Sequence, residues 1–302
     1  MTTTTPAPAT ADPTPAELRV IVAVAQEGSF SAAGKRLGLT QSAVSHCIRT
    51  VERKVGAVLF DRGRHGARPT PAGERVAAHA RGVLRLLEVM RTDAVAAASG
   101  TLSTTLRIAT FRSAAAALLP AALSRLAARH PQVVPRVAVV REIGPGAAGE
   151  VVAGRADLAI ASLPHRIPDA AGLVSVTLFE EPHVLIHPAG SRDPRRLPLV
   201  NWDENCSSRT RGWFAGQNWI PATTIDVADD SVVLSMVAHG MGMAIVPRMI
   251  AAEAPPSVAV MDLGADPPTR TVGFVTTHEL ARSTAVRELI RELRGERGRL
   301  GP

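Results

Sequence analysis

The chain of 302 residues is poor in aromatics, at 3 % of its composition, and holds only two cysteines, Cys47 and Cys206. With so few rings its cores must be built from Ala, Val, Leu and Ile, which the 46 % hydrophobic content permits. Two cysteines far apart, in segments of unlike character, exclude a disulfide framework and a thiolate metal centre. His183, His187 and His239 share no spacing with carboxylates, so neither a metal nor another cofactor is expected. No nucleophile–base constellation converges either, and the chain is not expected to be an enzyme. No apolar run reaches the roughly 18–20 residues that span a bilayer. The start, Met1 through four threonines to Pro6, lacks the basic and apolar regions of a signal peptide. The expectation is a soluble, cytoplasmic protein with no membrane partner.

What the chain does have is positive charge in one place. Its formal charge is +7, and residues 31–70 carry eight basic side chains (Lys35, Arg36, Arg49, Arg53, Lys54, Arg62, Arg64 and Arg68) against Glu52 and Asp61. Over 101–302 the balance is nearly even, twenty-one basic against nineteen acidic. A local basic patch favours a polyanionic partner. Residues 1–14 are Thr, Ala and Pro with one Asp and have nothing to bury, so a disordered tail is expected there.

From 15 to 70 the spacing predicts a winged helix-turn-helix. Leu18, Ile21, Val22 and Ala25 share one helical face, and Gly28 ends that helix. Ser29 or Ser31 can cap the next, which turns Ala33 and Leu37 inward and stops at Gly38. Thr40 is placed to cap a third helix with Val44, Ile48, Val51 and Val55 as its inward stripe. Ser42, Ser45, His46, Arg49 and Arg53 fall on the other side. Hydroxyls and an arginine near a helix N-terminus can reach base edges, while Arg53 suits phosphate. The Gly-rich, basic run Phe60–Arg68 reads as a hairpin wing along the sugar-phosphate backbone. A solvated helix face is the plainer alternative for either feature alone; their coincidence with the charge patch favours DNA binding.

Phe30-Ser31-Ala32-Ala33, Leu37, Thr40-Gln41-Ser42-Ala43-Val44-Ser45, Ile48, Val51-Glu52, Gly56, Leu59-Phe60 with Arg62, and Thr70-Pro71-Ala72-Gly73 together resemble the N-terminal domain of LysR-type transcriptional regulators. Cys47 departs from that pattern, where a long polar residue such as Gln is usual, and Ser42 stands where Pro is frequent. The candidate DNA contacts are Ser31, Thr40, Gln41, Ser42, Ser45, His46, Arg49, Arg53, Arg62 and Arg64.

A long helix is expected over 71–98, with Val76, Val83, Leu87, Met90, Ala94 and Ala97 as a narrow apolar stripe suited to a second helix. The resemblance implies the same: a homodimer through this linker, often paired again into a homotetramer, two recognition helices reading a dyad-symmetric stretch of double-stranded DNA. Ser99-Gly100-Thr101 closes the linker region at 100.

Residues 101–302 alternate strands and helices, which argues a parallel sheet with covering helices. A return of the chain near Thr271 suggests two lobes, 104–173 with 269–302 and 174–268 between. The runs Val152–Ile160 and Gly240–Pro247 resemble the LysR effector domain, whose fold is similar to periplasmic substrate-binding proteins. The expected fold is thus α/β overall: an N-terminal winged helix-turn-helix, a long linker helix and a bilobal α/β effector domain. Ligands of open α/β sheets sit at the carboxyl ends of strands against helix N-termini. Those places are Thr110, Phe111, Arg112 and Ser113; Ser162; Asn205, Cys206, Ser207, Ser208 and Arg209; and Asp229 with Asp230 and Ser231. Hydroxyls and guanidiniums favour a small carboxylate effector, while the two aspartates suit an amine, so an amino acid fits as well; plain capping explains the serines equally. Cys206, between Asn205 and Ser207, is either a sensor of oxidants or electrophiles or a small pocket-lining residue. The run Gly240-Met241-Gly242 precedes a strand rather than opening a helix and is no dinucleotide fingerprint.

Overall fold

A computed structural model describes residues 12–63, 66–164, 172–202 and 208–295. The chain divides into two compact units. One comprises the described residues up to Arg91 with Val152–Arg155, the other the remaining described residues from Thr92 on.

The first unit opens with three helices, α1 (Pro15–Glu27), α2 (Phe30–Leu37) and α3 (Gln41–Val55). Each starts at a hydroxyl cap. Thr14 and Glu17 close a capping box on α1, Ser29 accepts the Ala32 N–H at 3.4 Å, and Thr40 accepts the Ala43 N–H at 3.2 Å. Each ends at a glycine in the left-handed region, Gly28, Gly38 and Gly56. Thr14 therefore belongs to the folded unit rather than to a tail, and the Asp12 carbonyl accepts from Lys54 at 3.3 Å. The tail expected over residues 1–11 lies outside the described residues.

Val20, Ile21, Val24, Ala33, Val44, Ile48 and Val51 form the core with Leu59, Phe60 and Ala67. The inward face of α1 thus centres on Val20, Ile21 and Val24, rotated from the expected stripe; Leu18 and Ala25 only flank it. Val55, expected inward, is exposed in the last turn of α3. The wing is an antiparallel pair, β1 (Phe60–Gly63) and β2 (Gly66–Pro69), registered Phe60↔Pro69 to Gly63↔Gly66. The Ala67 N–H donates to the Gly28 carbonyl at 2.7 Å, and a Cβ on Gly66 would meet that oxygen at 2.3 Å, so β2 lies directly on the end of α1. α4 (Pro71–Ser99) follows, close to the expected span. Val83, Leu86, Leu87, Met90 and Val95 stand exposed along it.

The second unit holds β3 (Thr104–Thr110), α5 (Arg112–Ala117), α6 (Leu119–Arg129), β4 (Val133–Val139), α7 (Gly146–Val152), β5 (Leu158–Leu163) and β6 (Leu173–Pro188). After these come β7 (Leu199–Trp202), α8 (Ser208–Ala215), β8 (Thr224–Val227), α9 (Val233–Ala238), β9 (Ala244–Pro247), α10 (Arg248–Ala251), β10 (Val258–Asp262), β11 (Thr269–Thr277) and α11 (Thr284–Gly295). α5 and α6 are separated at Leu118, because Pro120 cannot donate to the preceding turn and enters instead at the start of α6.

The main sheet runs β10-β6-β11-β5-β3-β4, with β9 also on β6. It is mixed, not parallel. β3 pairs in parallel with β4 and β5, but β11 is antiparallel to β5 and β6, and β6 antiparallel to β9 and β10. β10 and β11 run in the same direction, each antiparallel to β6, along successive stretches of it. β7 and β8 form a separate parallel pair. Residues 173–188 form one strand. β6 pairs with β11 up to Pro182 and with β9 and β10 from His183 on, and Pro182, which lacks a donor, sits where the partners change. The first lobe thus extends into β6 past the expected boundary at 173. Core clusters form around Ala109, Ala147, Ala159 and Val275 in the first lobe, and in the second around Val184, Val200, Val233 and Val246 and around Leu185, Leu199, Met243 and Ile245. Glu292 on α11 is 4 % exposed and is gripped by Arg125 at 2.9 Å and Arg129 at 3.3 Å, fastening α11 to α6.

Candidate functional site

The amphipathic α3 presents one open face. Gln41, Ser42, His46, Arg49 and Arg53 are exposed, at successive turns of that side. Thr40 caps the helix and its hydroxyl lies 3.0 Å from Ser42 Oγ, so the cap also orients the first exposed hydroxyl. Ser45 does not join them: it is 8 % exposed. At about 100° per residue it sits on the flank of the Val44–Ile48–Val51 stripe, whereas Ser42, His46, Arg49 and Arg53 lie on the far side. Its expected place among base-reading residues is therefore corrected. Arg53 leans on Thr50 Oγ1 at 3.3 Å. Ser31 is exposed in the first turn of α2. An open hollow of about 490 Å³ is lined by Ser29, Phe30, Ser31, Gln41, Gly63 and Gly66, joining the starts of α2 and α3 to the wing. Arg62 is in β1, its side chain outside the described residues, as is all of Arg64.

Glu52 was not among the expected site residues, yet it fixes the wing. Its Oε1 accepts the Leu59 N–H at 2.9 Å and the Phe60 N–H at 3.4 Å, tying the exposed helix to the first wing strand. Cys47 has a packing role. It lies against the apolar core, and burial pushes its thiol above the ordinary value, which makes it a poor nucleophile.

In the second unit the candidate effector residues gather at the carboxyl ends of β3 and β5 and around the turn after β8. Thr110 and Phe111 are buried, and the Thr110 hydroxyl donates to the Phe111 carbonyl at 3.3 Å. Neither offers an open polar group. Ser113 is 1 % exposed, its hydroxyl accepting from Arg270 at 3.2 Å. Arg270 also pairs with Glu181, Nε to Oε1 at 2.6 Å, and covers the Phe111 ring at 4.4 Å from its centroid. Glu181 Oε2 takes the Met249 N–H at 3.0 Å. Arg270 and Glu181 are cross-strand partners in the β11–β6 register, eighty-nine residues apart in sequence, and no local pattern announces them.

Arg112, expected as an effector contact, holds two carboxylates of the chain itself. Its Nε and one terminal nitrogen donate to Asp230 Oδ1 at 2.8 Å and Oδ2 at 3.2 Å, and the other donates to Glu253 at 3.2 Å. Burial alone would pull its pKa down, but these two carboxylates raise it above the ordinary arginine value. Asp229 caps the turn by accepting the Ser231 N–H at 2.7 Å, and hydrogen bonds from Ser231, its side chain first and then its backbone, lower its pKa. The Ser162 N–H donates to Glu142 at 3.1 Å. Ser208 and Arg209 open α8, side chains outside the described residues; Asn205, Cys206 and Ser207 lie wholly outside them. Among the described residues no group of three His, Cys, Asp or Glu could hold a metal ion, and no helix is long and apolar enough to cross a membrane.

Comparison with known proteins matches both units. The family of the bacterial regulatory helix-turn-helix protein, lysR family, covers residues 15–74, and the LysR substrate binding domain covers 99–298. The chain is 34 % identical over 253 residues to the probable transcriptional regulator LrrA of Synechococcus elongatus, spanning 82 % of this chain and 85 % of that one. It is 30 % identical over 250 residues to a probable hydrogen peroxide-inducible genes activator of Streptomyces viridosporus, spanning 78 % of each. Full-length LysG from Corynebacterium glutamicum, solved with bound effector Arg, has the same fold, with a TM-score of 0.69 and 20 % identity over 96 % of this chain and 100 % of that one. The chain belongs to the LysR family of transcriptional regulators, DNA-binding proteins with an effector domain.

Proposed function

We propose that this regulator reads a dyad-symmetric operator through Ser42, His46 and Arg49 at base edges. Ser31, Thr40, Gln41 and Arg53, with Arg62 and Arg64 of the wing, hold the flanking phosphates. The continuous exposed face of α3 supports this assignment, since side chains on one side of a helix enter one groove together. Two copies join through the apolar stripe Val83, Leu87 and Met90 of α4, exposed in the single chain, and dimers pair again into tetramers. The test is a salt series on the operator. Arg49→Ala lowers specific binding, whereas Arg53→Ala weakens all sequences alike and reduces the salt slope by about one. An unaltered footprint and affinity with Arg49→Ala refutes the orientation.

The effector is a small carboxylate or an amino acid, bound between the two lobes at the end of β3, and its binding changes the contact with DNA. One observation carries this: Arg112 already grips a carboxylate there, that of Asp230, with two forked donors. LysG, with its bound Arg, supports an amino acid within the same fold. Calorimetric titration of the full chain with carboxylates and amino acids tests it, and absence of binding across both classes refutes it.

A second reading is favoured by the relative from Streptomyces viridosporus, whose name is that of a peroxide-responsive activator. In it Cys206 is the oxidised thiol, since Cys47 is held back by burial. Operator binding by Cys206→Ser that responds to peroxide as the wild type does excludes it.

A further inference from the structure

Two arginines of the first lobe reach one short segment of the second. Arg112, the first residue of α5, forks onto Asp230 and also holds Glu253. Arg141, just past β4, donates to the Ala228 carbonyl. Ala228–Asp230 is the turn between β8 and α9, closed on itself by the Asp229 cap. The Asp230 side chain is 10 % exposed and that of Arg112 28 %, so the pair is shielded from bulk ions yet open on one side. The cap of the turn is Asp229, not Asp230, and both oxygens of Asp230 are turned to Arg112.

We propose that Asp230 is a built-in competitor for the anion site at Arg112. Its carboxylate occupies the guanidinium in the absence of effector, and the effector's carboxylate takes its place, freeing the Ala228–Asp230 turn from the first lobe. This rests on the carboxylate-effector reading above. The exchange is chemically balanced: a planar carboxylate leaves the two forked donors and another arrives, so Arg112 is never left buried without a partner, which is the costly alternative. The effector's apparent affinity is then the intrinsic one reduced by the fraction of molecules in which Arg112 is free of Asp230. The competitor also converts occupancy into movement, because the effector's carboxylate on Arg112 repels the displaced Asp230 and turns the Ala228–Asp230 segment away from the position that Arg112 had imposed.

The experiment uses the full-length protein as wild type, Asp230→Asn and Arg112→Gln, with folding checked by circular dichroism. Hydrogen exchange is followed in residues 228–238, and benzoate, succinate and L-glutamate serve as carboxylate probes in calorimetry. Asp230→Asn is expected to speed exchange in 228–238 by about tenfold, to leave β11 unchanged, and to bind a probe about tenfold more tightly than the wild type. Arg112→Gln speeds the same exchange but loses the probe. In the wild type a bound probe speeds exchange in 228–238 instead of slowing it. Exchange unchanged in both variants overturns the proposal. Equal probe affinity in wild type and Asp230→Asn also overturns it, while leaving the carboxylate effector standing. If no probe binds any form, the carboxylate reading fails and the competitor fails with it.

Discussion

Replacing Gly73 by Ala in α4 should destabilise the winged unit, against the ordinary preference of helices for alanine. A Cβ at Gly73 would lie 1.9 Å from the Leu59 carbonyl oxygen and 2.9 Å from its carbon. The obstacle is backbone, and it is held from both sides: the Leu59 N–H is bound to Glu52 at 2.9 Å and its carbonyl accepts the Thr70 N–H at 2.9 Å. Reaching even 3.0 Å requires a shift of about 1.1 Å at that contact. Alanine gains about 1 kcal/mol of helix propensity. Overpacking costs about 1–3 kcal/mol, and each loosened hydrogen bond about 1 kcal/mol more. The expected net is a loss of about 1–3 kcal/mol. Gly82 lies on the same helix with nothing within 4 Å, so Gly82→Ala keeps only the propensity term and should gain about 1 kcal/mol. Urea unfolding followed by two probes separates the units. All three tryptophans, Trp202, Trp213 and Trp219, belong to the second unit, so tryptophan fluorescence reports that unit alone, while far-ultraviolet circular dichroism reports the helices of both. Gly73→Ala should lower the dichroism midpoint alone. If it unfolds at or above the wild-type midpoint, α4 does not press on Leu59 as described.

Thr40→Ala removes the cap of α3 and should cost the winged unit about 1 kcal/mol, while Thr40→Ser keeps most of it; the dichroism midpoint reads both. His183 is buried beside Arg270, and burial first, then that charge, lowers its pKa to about 4 from an ordinary 6.5. The unfolded chain therefore takes up a proton the folded ring refuses. Stability of the second unit falls as pH drops below 6.5 towards 4. The loss between about pH 7 and about pH 5 is about 2 kcal/mol from this group. His183→Asn should flatten that part of the profile, measured as the tryptophan-fluorescence urea midpoint against pH; an unchanged slope would contradict the buried neutral ring.

The winged unit was legible because its determinants are local. Ser29, Thr40 and the three glycines act on neighbours within a turn, and an apolar stripe such as Val44–Ile48–Val51 is set by helix geometry alone. Ser45 misled because a residue about a quarter-turn from the centre of a stripe is polar in the pattern but flanked by core in the fold. The strands of the second unit were also legible as segments, but their directions were not: nothing inside β11 states that it will lie antiparallel between β5 and β6. The same limit hid the charge pairs. Arg112 was visible as a cation at a strand end, but its partners Asp230 and Glu253 come from elements more than a hundred residues away, and only the fold brings them together.

β6 has a mechanical consequence. It is one unbroken strand of sixteen residues that serves the sheets of both lobes, changing partners at Pro182. A change of angle between the lobes cannot be absorbed there by free rotation about one or two loop bonds, since the strand is laced to β11 on one stretch and to β9 and β10 on the next. It must be spread as torsion along a hydrogen-bonded ribbon, whose register with β11 shifts between Val272 and Gly273. Such an element behaves as a stiff torsion rod: it permits small twists, stores their work elastically, and restores the starting angle once the load is removed.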